Sequence, residues 1–171
     1  MRTNLRRVPA KAVLSFCCLL LVASTAQGAG SKPKKEEAKE RNPAVSTSFN
    51  IGIGQMEAGS YEDAAASFQQ ALAMDPDYAE AHNNFAYCLR KLGKDHYDDA
   101  LTHYNKALEL NPKLAAAYHY RGVLHALSGQ EDAAKADHAK LLELDRELAD
   151  ELMKVIASGE EPEGKHGAVW K

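Results

Sequence analysis

The stretch AEAHNNFAYCLRKLGKDHYDDALTHYNKALELNP, residues 79–112, decides the fold because its pattern of residue sizes occurs three times in the chain. The copies cover residues 45–78, 79–114 and 115–148, and each has a tiny residue, a turn glycine, an alanine and a ring at matching steps. These residues are Gly52, Gly59, Ala64 and Phe68, then Ala86, Gly93, Ala100 and Tyr104, then Gly122, Gly129, Ala134 and His138. A unit of about 34 residues cannot close a core of its own, so we expect the copies to stack into a short solenoid.

Each copy predicts two helices. In its second half the apolar residues recur at steps of four, seven and eight, which places them on one stripe of an α-helix. The turn glycine suits the residue that ends a helix, and the prolines at Pro76 and Pro112 separate one copy from the next. The tiny residues let two helix backbones approach closely while a ring fills the space beside them.

The order of these residues resembles the tetratricopeptide repeat, whose spacing of small residue, turn, alanine, aromatic ring, alanine and proline they follow. The resemblance implies an all-α fold: three helix-turn-helix repeats forming a short right-handed α-solenoid. The third copy departs from the pattern, because Arg121 replaces a bulky apolar residue, Leu141 replaces an alanine and Arg146 stands where proline stood. Its packing is therefore the least determined by the pattern.

The segment 146–158 predicts a capping helix for the repeat domain, which we expect to cover residues 44–158. Leu148, Leu152, Val155 and Ile156 fall on one helical side, and charged residues fall on the other. A terminal unit of a stack needs such a polar outer face.

The first 28 residues are typical of an export signal. Four basic residues precede an apolar run over 12–23, and small residues follow it. Cleavage after Ala26 and after Gly28 are both compatible with the pattern, and an uncleaved anchor formed by residues 12–23 is the alternative. We therefore expect the protein to be exported, to a bacterial periplasm or cell envelope.

Two polar segments flank the repeats. Residues 29–43 are charged and poor in apolar side chains, which predicts a flexible linker, and residues 159–171 predict a flexible tail. Trp170, near the end of the tail, has two interpretations: it packs on the capping helix, or it docks on a partner.

Charge and cysteine content argue against a nucleic-acid-binding protein and against a domain held by an internal disulfide. The chain has 21 basic and 24 acidic residues, and loss of residues 1–26 leaves 17 basic ones. An acidic chain is a poor nonspecific ligand of nucleic acid, so we expect no nucleic-acid partner. Without residues 1–28 the chain keeps one cysteine, Cys88, which cannot form an internal disulfide and is expected to be a buried core residue.

The sequence indicates no catalytic site, no metal site and no cofactor. It lacks the spacings of a haem-attachment site, a phosphate-binding loop, a nucleophile elbow and a zinc helix. No two histidines from His82 to His138 stand four residues apart, the step that puts two ligands on one helix face. His125 and His138 fall within the third hairpin, where we expect core imidazoles, with metal ligands as the alternative; a buried pair would make that repeat acid-sensitive.

The resemblance implies that the concave side of the stack, built from the first helix of each repeat, binds a partner. The residues at the family's inward steps are Phe49, Ile53, Asn83, Asn84, Tyr87, Arg90, His119, Tyr120 and Val123. Rings offer contact area, amides bond an extended backbone, and a guanidinium pairs with a carboxylate. Some family members clamp a C-terminal carboxylate, but Phe49, Ile53 and Ala116 occupy clamp steps here, so a clamp is not predicted.

Two functions follow as hypotheses. The first is a non-enzymatic adaptor or scaffold that binds a peptide segment or helix of a partner protein and assists assembly of a cell-envelope complex. The second is an accessory subunit of an envelope enzyme, or a small enzyme of unknown chemistry. In either case we expect contact with a membrane only through an uncleaved signal segment.

Overall fold

The structure is a computed structural model that describes residues 41–160. Seven α-helices follow one another: α1 Pro43–Glu57, α2 Tyr61–Met74, α3 Ala79–Leu92, α4 Tyr97–Leu110, α5 Ala115–Leu127, α6 Glu131–Leu144 and α7 Arg146–Ser158. One 3-10 turn, Lys94–His96, lies between α3 and α4, and no strand occurs within 41–160. The all-α prediction is confirmed.

The helix ends use the expected chemistry. Asn42 accepts a hydrogen bond from the backbone N–H of Ala44, and Pro43 occupies the first turn of α1, where a missing N–H costs nothing. Gly59 and Gly129 have φ values of 81° and 73°, which side chains rarely tolerate, and each lies between the two helices of a hairpin. The hairpin turns predicted from the repeats are therefore present.

The helices pack as three hairpins, α1–α2, α3–α4 and α5–α6. The second helix of each hairpin packs on the first helix of the next, and α7 packs on both α5 and α6. The main core lies within and between the first two hairpins and reaches α5, whereas a second core joins α5, α6 and α7. Each hairpin thus completes its core with a neighbour, as a stack requires.

Small residues lie opposite large ones in this core. A Cβ added at Gly52 would lie 2.7 Å from Phe68 Cε1, and Phe68 is fully buried. Tyr104, the equivalent ring of the second hairpin, is also fully buried beside Ala86. The packing predicted from the repeat is confirmed at these two positions.

The third hairpin packs differently. The Leu152 side chain from α7 lies against Gly122, in contact with the place that a Cβ would occupy. His138, which holds the ring position of this repeat, is only half-buried, and so is His125, which hydrogen-bonds Gln130 at 2.7 Å. The expectation that His125 and His138 are core imidazoles is wrong, because leucines of α6 and α7 fill that space instead.

A buried ion pair explains why the third repeat has Arg121 where the other two have a bulky apolar residue. Its Nε donates to Asp137 Oδ2 at 3.0 Å, and its Nη1 donates to Asn105 Oδ1 at 2.7 Å. Asp137 is 3% exposed, so α5 is joined to α6 by a charged pair where the other hairpins use apolar contact.

Several predictions lie outside the described residues. These are the export signal, the linker up to residue 40 and the tail from residue 161. Between residues 41 and 160, no helix combines the length and apolar character that crossing a bilayer requires.

Candidate functional site

The nine residues predicted to line the groove, which we call the inner wall, lie on α1, α3 and α5. Seven of them are at most 4% exposed, whereas Phe49 and Ile53 on α1 are half-buried. The inner wall therefore has a buried part on α3 and α5 and an accessible edge on α1. Its contact with a partner stays a prediction.

A chain of rings joins the hairpins across the inner wall. The ring of Tyr87 lies 5.0 Å from that of Tyr120 and 6.0 Å from that of Tyr61, in both cases edge to face. His119 continues the chain, with its ring centroid 5.1 Å from that of Tyr120. Such edge-to-face pairs stabilise the arrangement beyond their burial and fix the orientation of the wall.

Two basic side chains near the end of α3 lie beside these rings. The Arg90 guanidinium lies 5.0 Å from the centroid of the Tyr87 ring, and Lys91 Nζ lies 5.9 Å from that of Tyr61. Both residues are in the last turn of the helix, where a positive charge is favoured by the helix dipole. Arg90 is buried, whereas Lys91 is exposed and carries its charge beside the Tyr61 ring.

Helix α7 adds a carboxylate to the other end of the wall. Glu151 Oε2 lies 3.7 Å from His119 Nε2.

Burial raises the pKa of Tyr120, the nearby hydroxyls of Tyr104 and Tyr87 raise it further, and the Arg90 charge opposes them. The Tyr120 phenol is therefore neutral over the physiological range.

Asn83 and Asn84 form a polar pair inside α3. Asn83 Nδ2 donates to Asn84 Oδ1 at 3.0 Å, and both side chains are at most 2% exposed. Within residues 41–160, Asn83 Oδ1 and Asn84 Nδ2 have no hydrogen-bond partner. Exchanging O and N in both amides would again leave one acceptor and one donor, which together match a peptide group.

The three apolar members of the inner wall also contact the core. The Phe49 ring lies 4.7 Å from that of Tyr78 and 5.5 Å from that of Phe68, between the first two hairpins. Ile53 packs on the main core from its edge, and Val123 belongs to the second core beside α7. Ile53 thus combines a fixed position with an accessible surface.

Tyr61, Lys91 and Glu151 were missed at the sequence level. Tyr61 is the first residue of α2, the second helix of its hairpin, whereas the groove positions of the family lie on the first helix of each repeat. Glu151 gave no signal because a single residue, Asp145, connects α6 to α7, whereas four residues connect α2 to α3 and α4 to α5. The shorter connection changes the phase of α7 relative to the first helices.

The remaining titratable groups do not assemble a metal site. In the part of the chain that the structure describes, no three histidine, cysteine, aspartate or glutamate side chains come together to hold an ion. Cys88 is fully buried, and burial raises the pKa of its thiol to about 12. A thiol in this state is a packing residue rather than a nucleophile.

Comparisons with known proteins agree with this geometry. A family model described as TPR repeat matches residues 56–93 and 89–129. Comparison with curated protein sequences gives no match.

Solved structures share the fold. The first TPR domain of Spaghetti (RPAP3), bound to the HSP90 peptide SRMEEVD, has a TM-score of 0.61 at 24% identity, over 67% of this chain and 92% of that chain. The TPR domain of OM64 from Arabidopsis has a TM-score of 0.62 at 20% identity, over 67% and 94%. The Yersinia enterocolitica secretion chaperone SycD, in complex with a peptide of the translocator YopD, has a TM-score of 0.62 at 16% identity, over 71% and 95%.

These matches and the hairpin geometry identify tetratricopeptide repeats in this chain, as the resemblance predicted. At such identities the solved structures establish the fold and leave the partner undefined.

Proposed function

We propose that this protein is an exported adaptor whose inner wall binds a peptide segment or helix of a partner protein. The observation that carries the proposal is the half-buried surface of Ile53 and Tyr61, which packs on a core whose buried rings, Tyr87 and Tyr120, join the hairpins. Rigid aromatic surface gives large contact area at little cost in side-chain entropy. Helical repeats of this kind offer extended concave surfaces to partners.

Peptide complexes of proteins with the same fold support this proposal. Spaghetti (RPAP3) holds an HSP90 peptide, and SycD holds a peptide of its translocator. This chain has Phe49 and Ile53 at steps where a carboxylate clamp needs polar side chains. We therefore infer an internal segment of the partner as the ligand rather than a free carboxyl end.

The chemistry of the wall sets the character of that segment. An apolar side chain suits Ile53 and Tyr61, and an acidic side chain suits the exposed ammonium of Lys91. The partner segment is thus amphipathic, with apolar and acidic residues close together.

The place of action rests on the N-terminal sequence. A basic start, an apolar run over 12–23 and small residues after it support export, with the uncleaved anchor as the alternative. Export places the adaptor in a cell envelope, where we propose that it assists assembly of a complex.

Affinity capture from the native envelope tests this function. Parent protein should recover a partner, and Ile53→Arg should lose it because a charge on the accessible edge opposes an apolar contact. The matched control is Ile51→Arg, which alters the same helix at a side chain that is 51% exposed. Equal recovery by both variants would place the partner elsewhere on the protein.

A further inference from the structure

The accessible edge of the inner wall follows one helix. Phe49 and Ile53 are half-buried side chains on one face of α1, four residues or about 6 Å apart along the axis. The half-buried Tyr61 begins α2 just after α1 ends, and it packs on the main core as Ile53 does. The surface open to a partner is therefore a strip along α1, because the wall residues on α3 and α5 are buried.

The amides that could bond an extended peptide backbone are out of reach. Asn83 and Asn84 are at most 2% exposed. On α1 the exposed Asn50 supplies one amide, whereas an extended backbone carries a donor and an acceptor at almost every residue. An extended segment on this strip would lose water from part of its backbone and gain few hydrogen bonds in return.

A helical segment avoids this loss. Its N–H and C=O groups bond one another, so it presents only side chains to the surface that it contacts. Two helices pack with their axes 8–10 Å apart when rows of side chains four residues apart interdigitate. Phe49 and Ile53 are such a row on α1, so the strip fits the apolar stripe of a second helix.

The charge near the strip lies at one end of it. The connections between α1, α2 and α3 are short, so neighbouring helices are antiparallel and α3 runs parallel to α1. Lys91, in the last turn of α3, has its Nζ 5.9 Å from the centroid of the Tyr61 ring. An acidic side chain at the matching end of a partner helix meets this exposed ammonium.

We propose that the partner contributes an amphipathic α-helix of about three turns, or about 11 residues, which packs along α1. Its apolar stripe contacts Phe49, Ile53 and Tyr61, and an acidic residue at one end of the stripe lies beside Lys91. This inference rests on the proposed function, and it selects a helix over the extended segment that the sequence leaves equally open.

A peptide from the partner tests the helix. A photo-crosslinking amino acid at Ile53 links the partner, and mass spectrometry of the adduct gives the linked segment. A synthetic peptide of about 15 residues from that segment is only marginally helical when free, so its helix propensity should show in its affinity for the full-length protein. The apolar residues of the segment should recur at steps of three and four.

Two substitutions at one central residue outside the apolar stripe should act in opposite directions. Aminoisobutyric acid, whose two α-methyl groups favour helical φ and ψ, should tighten binding several-fold. The D-enantiomer of the original residue opposes a right-handed helix and should weaken binding about tenfold. Ile51→Arg protein should bind the parent peptide as the parent protein does, and Ile53→Arg protein should lose it.

A charge exchange tests the contact with Lys91. Lys91→Glu should weaken binding of the parent peptide several-fold, and a peptide with lysine in place of its acidic residue should restore it. Equal binding of the parent peptide by Lys91→Glu and parent protein would overturn this contact.

The outcomes separate this inference from the proposed function. Weaker binding with aminoisobutyric acid, or apolar residues that alternate with a period of two, would overturn the helix while the adaptor function stands. Absence of any adduct at Ile53 would overturn both.

Discussion

The Nδ1 atoms of His82 and His103 lie 2.8 Å apart, so one proton must lie between the two rings. His82 Nε2 lies 2.9 Å from the carbonyl oxygen of Pro76 and donates to it, which leaves His82 Nδ1 as an acceptor. His103 Nδ1 is therefore the donor. The pair joins α3 to α4 and to the turn before α3.

This pair predicts that acid destabilises the second hairpin. Burial lowers the pKa of His103, the charge of His82 lowers it further, and Asp99 opposes both. Because the unfolded chain binds the proton more readily, stability is complete above an unfolded pKa of about 6.5 and declines as pH falls below it. The denaturant concentration at the unfolding midpoint should be lower at about pH 5 than at about pH 7, and His103→Gln should reduce that difference.

His125→Gln is the control for this experiment, since His125 is half-buried and bonds Gln130 in another hairpin. An equal pH dependence in parent and His103→Gln would contradict the assignment to the pair.

Two glycines of α1 predict opposite effects of the same substitution. Gly52→Ala places a methyl group 2.7 Å from a carbon of the buried Phe68 ring and should destabilise by about 1–3 kcal/mol. Gly54→Ala meets nothing within 4 Å and should stabilise by about 0.5–1 kcal/mol because alanine favours a helix. Thermal unfolding of the two variants measures both, and a lower Tm for Gly54→Ala than for Gly52→Ala would be inconsistent with this packing.

The ion pair of Arg121 predicts a large effect in the third hairpin. Arg121→Ala leaves the carboxylate of Asp137 buried without its bidentate partner, which should cost about 3–5 kcal/mol. Adding Asp137→Ala should recover part of that loss, because no unpaired charge then remains buried. Denaturant unfolding of the two single variants and the double variant gives the coupling.

Lys135→Ala provides a matched control, because its ion pair with Glu131 lies on the exposed surface of α6 and should matter little. Strictly additive effects of Arg121→Ala and Asp137→Ala would rule out the buried pair.

Cys88 predicts slow thiol chemistry. Its side chain is fully buried and its pKa is raised to about 12, so very little thiolate is available to a reagent at neutral pH. In protein that lacks residues 1–28, alkylation should follow global unfolding and accelerate strongly in denaturant. Rapid modification under native conditions would mean that α3 opens locally.

The sequence predicted those features that depend on spacing within one hairpin. The tiny residue at Gly52 and the ring at Phe68 are set by the helical period and by the repeat, so their contact could be predicted. The same holds for Tyr104 and for Leu152 on the apolar side of α7.

Contacts that depend on the phase between helices could not be predicted. His82 and His103 are 21 residues apart, and their meeting depends on the rotation of α4 about its axis. Glu151 reaches His119 because a one-residue connection shifts α7. Arg121 departs from the repeat, but its partner Asp137 lies beside the expected ring position His138, and no spacing within the repeat indicates this exchange.

The central claim is that a partner binds at the accessible edge of the inner wall. A photo-crosslinking amino acid placed at Ile53 in cells should give an adduct with one partner protein, and the same amino acid at Ile51 should give none. The two positions share a helix and differ in the face they occupy, so expression and folding are matched. Adducts with a partner at Ile51 but not at Ile53, or equal yields from both, would contradict the claim.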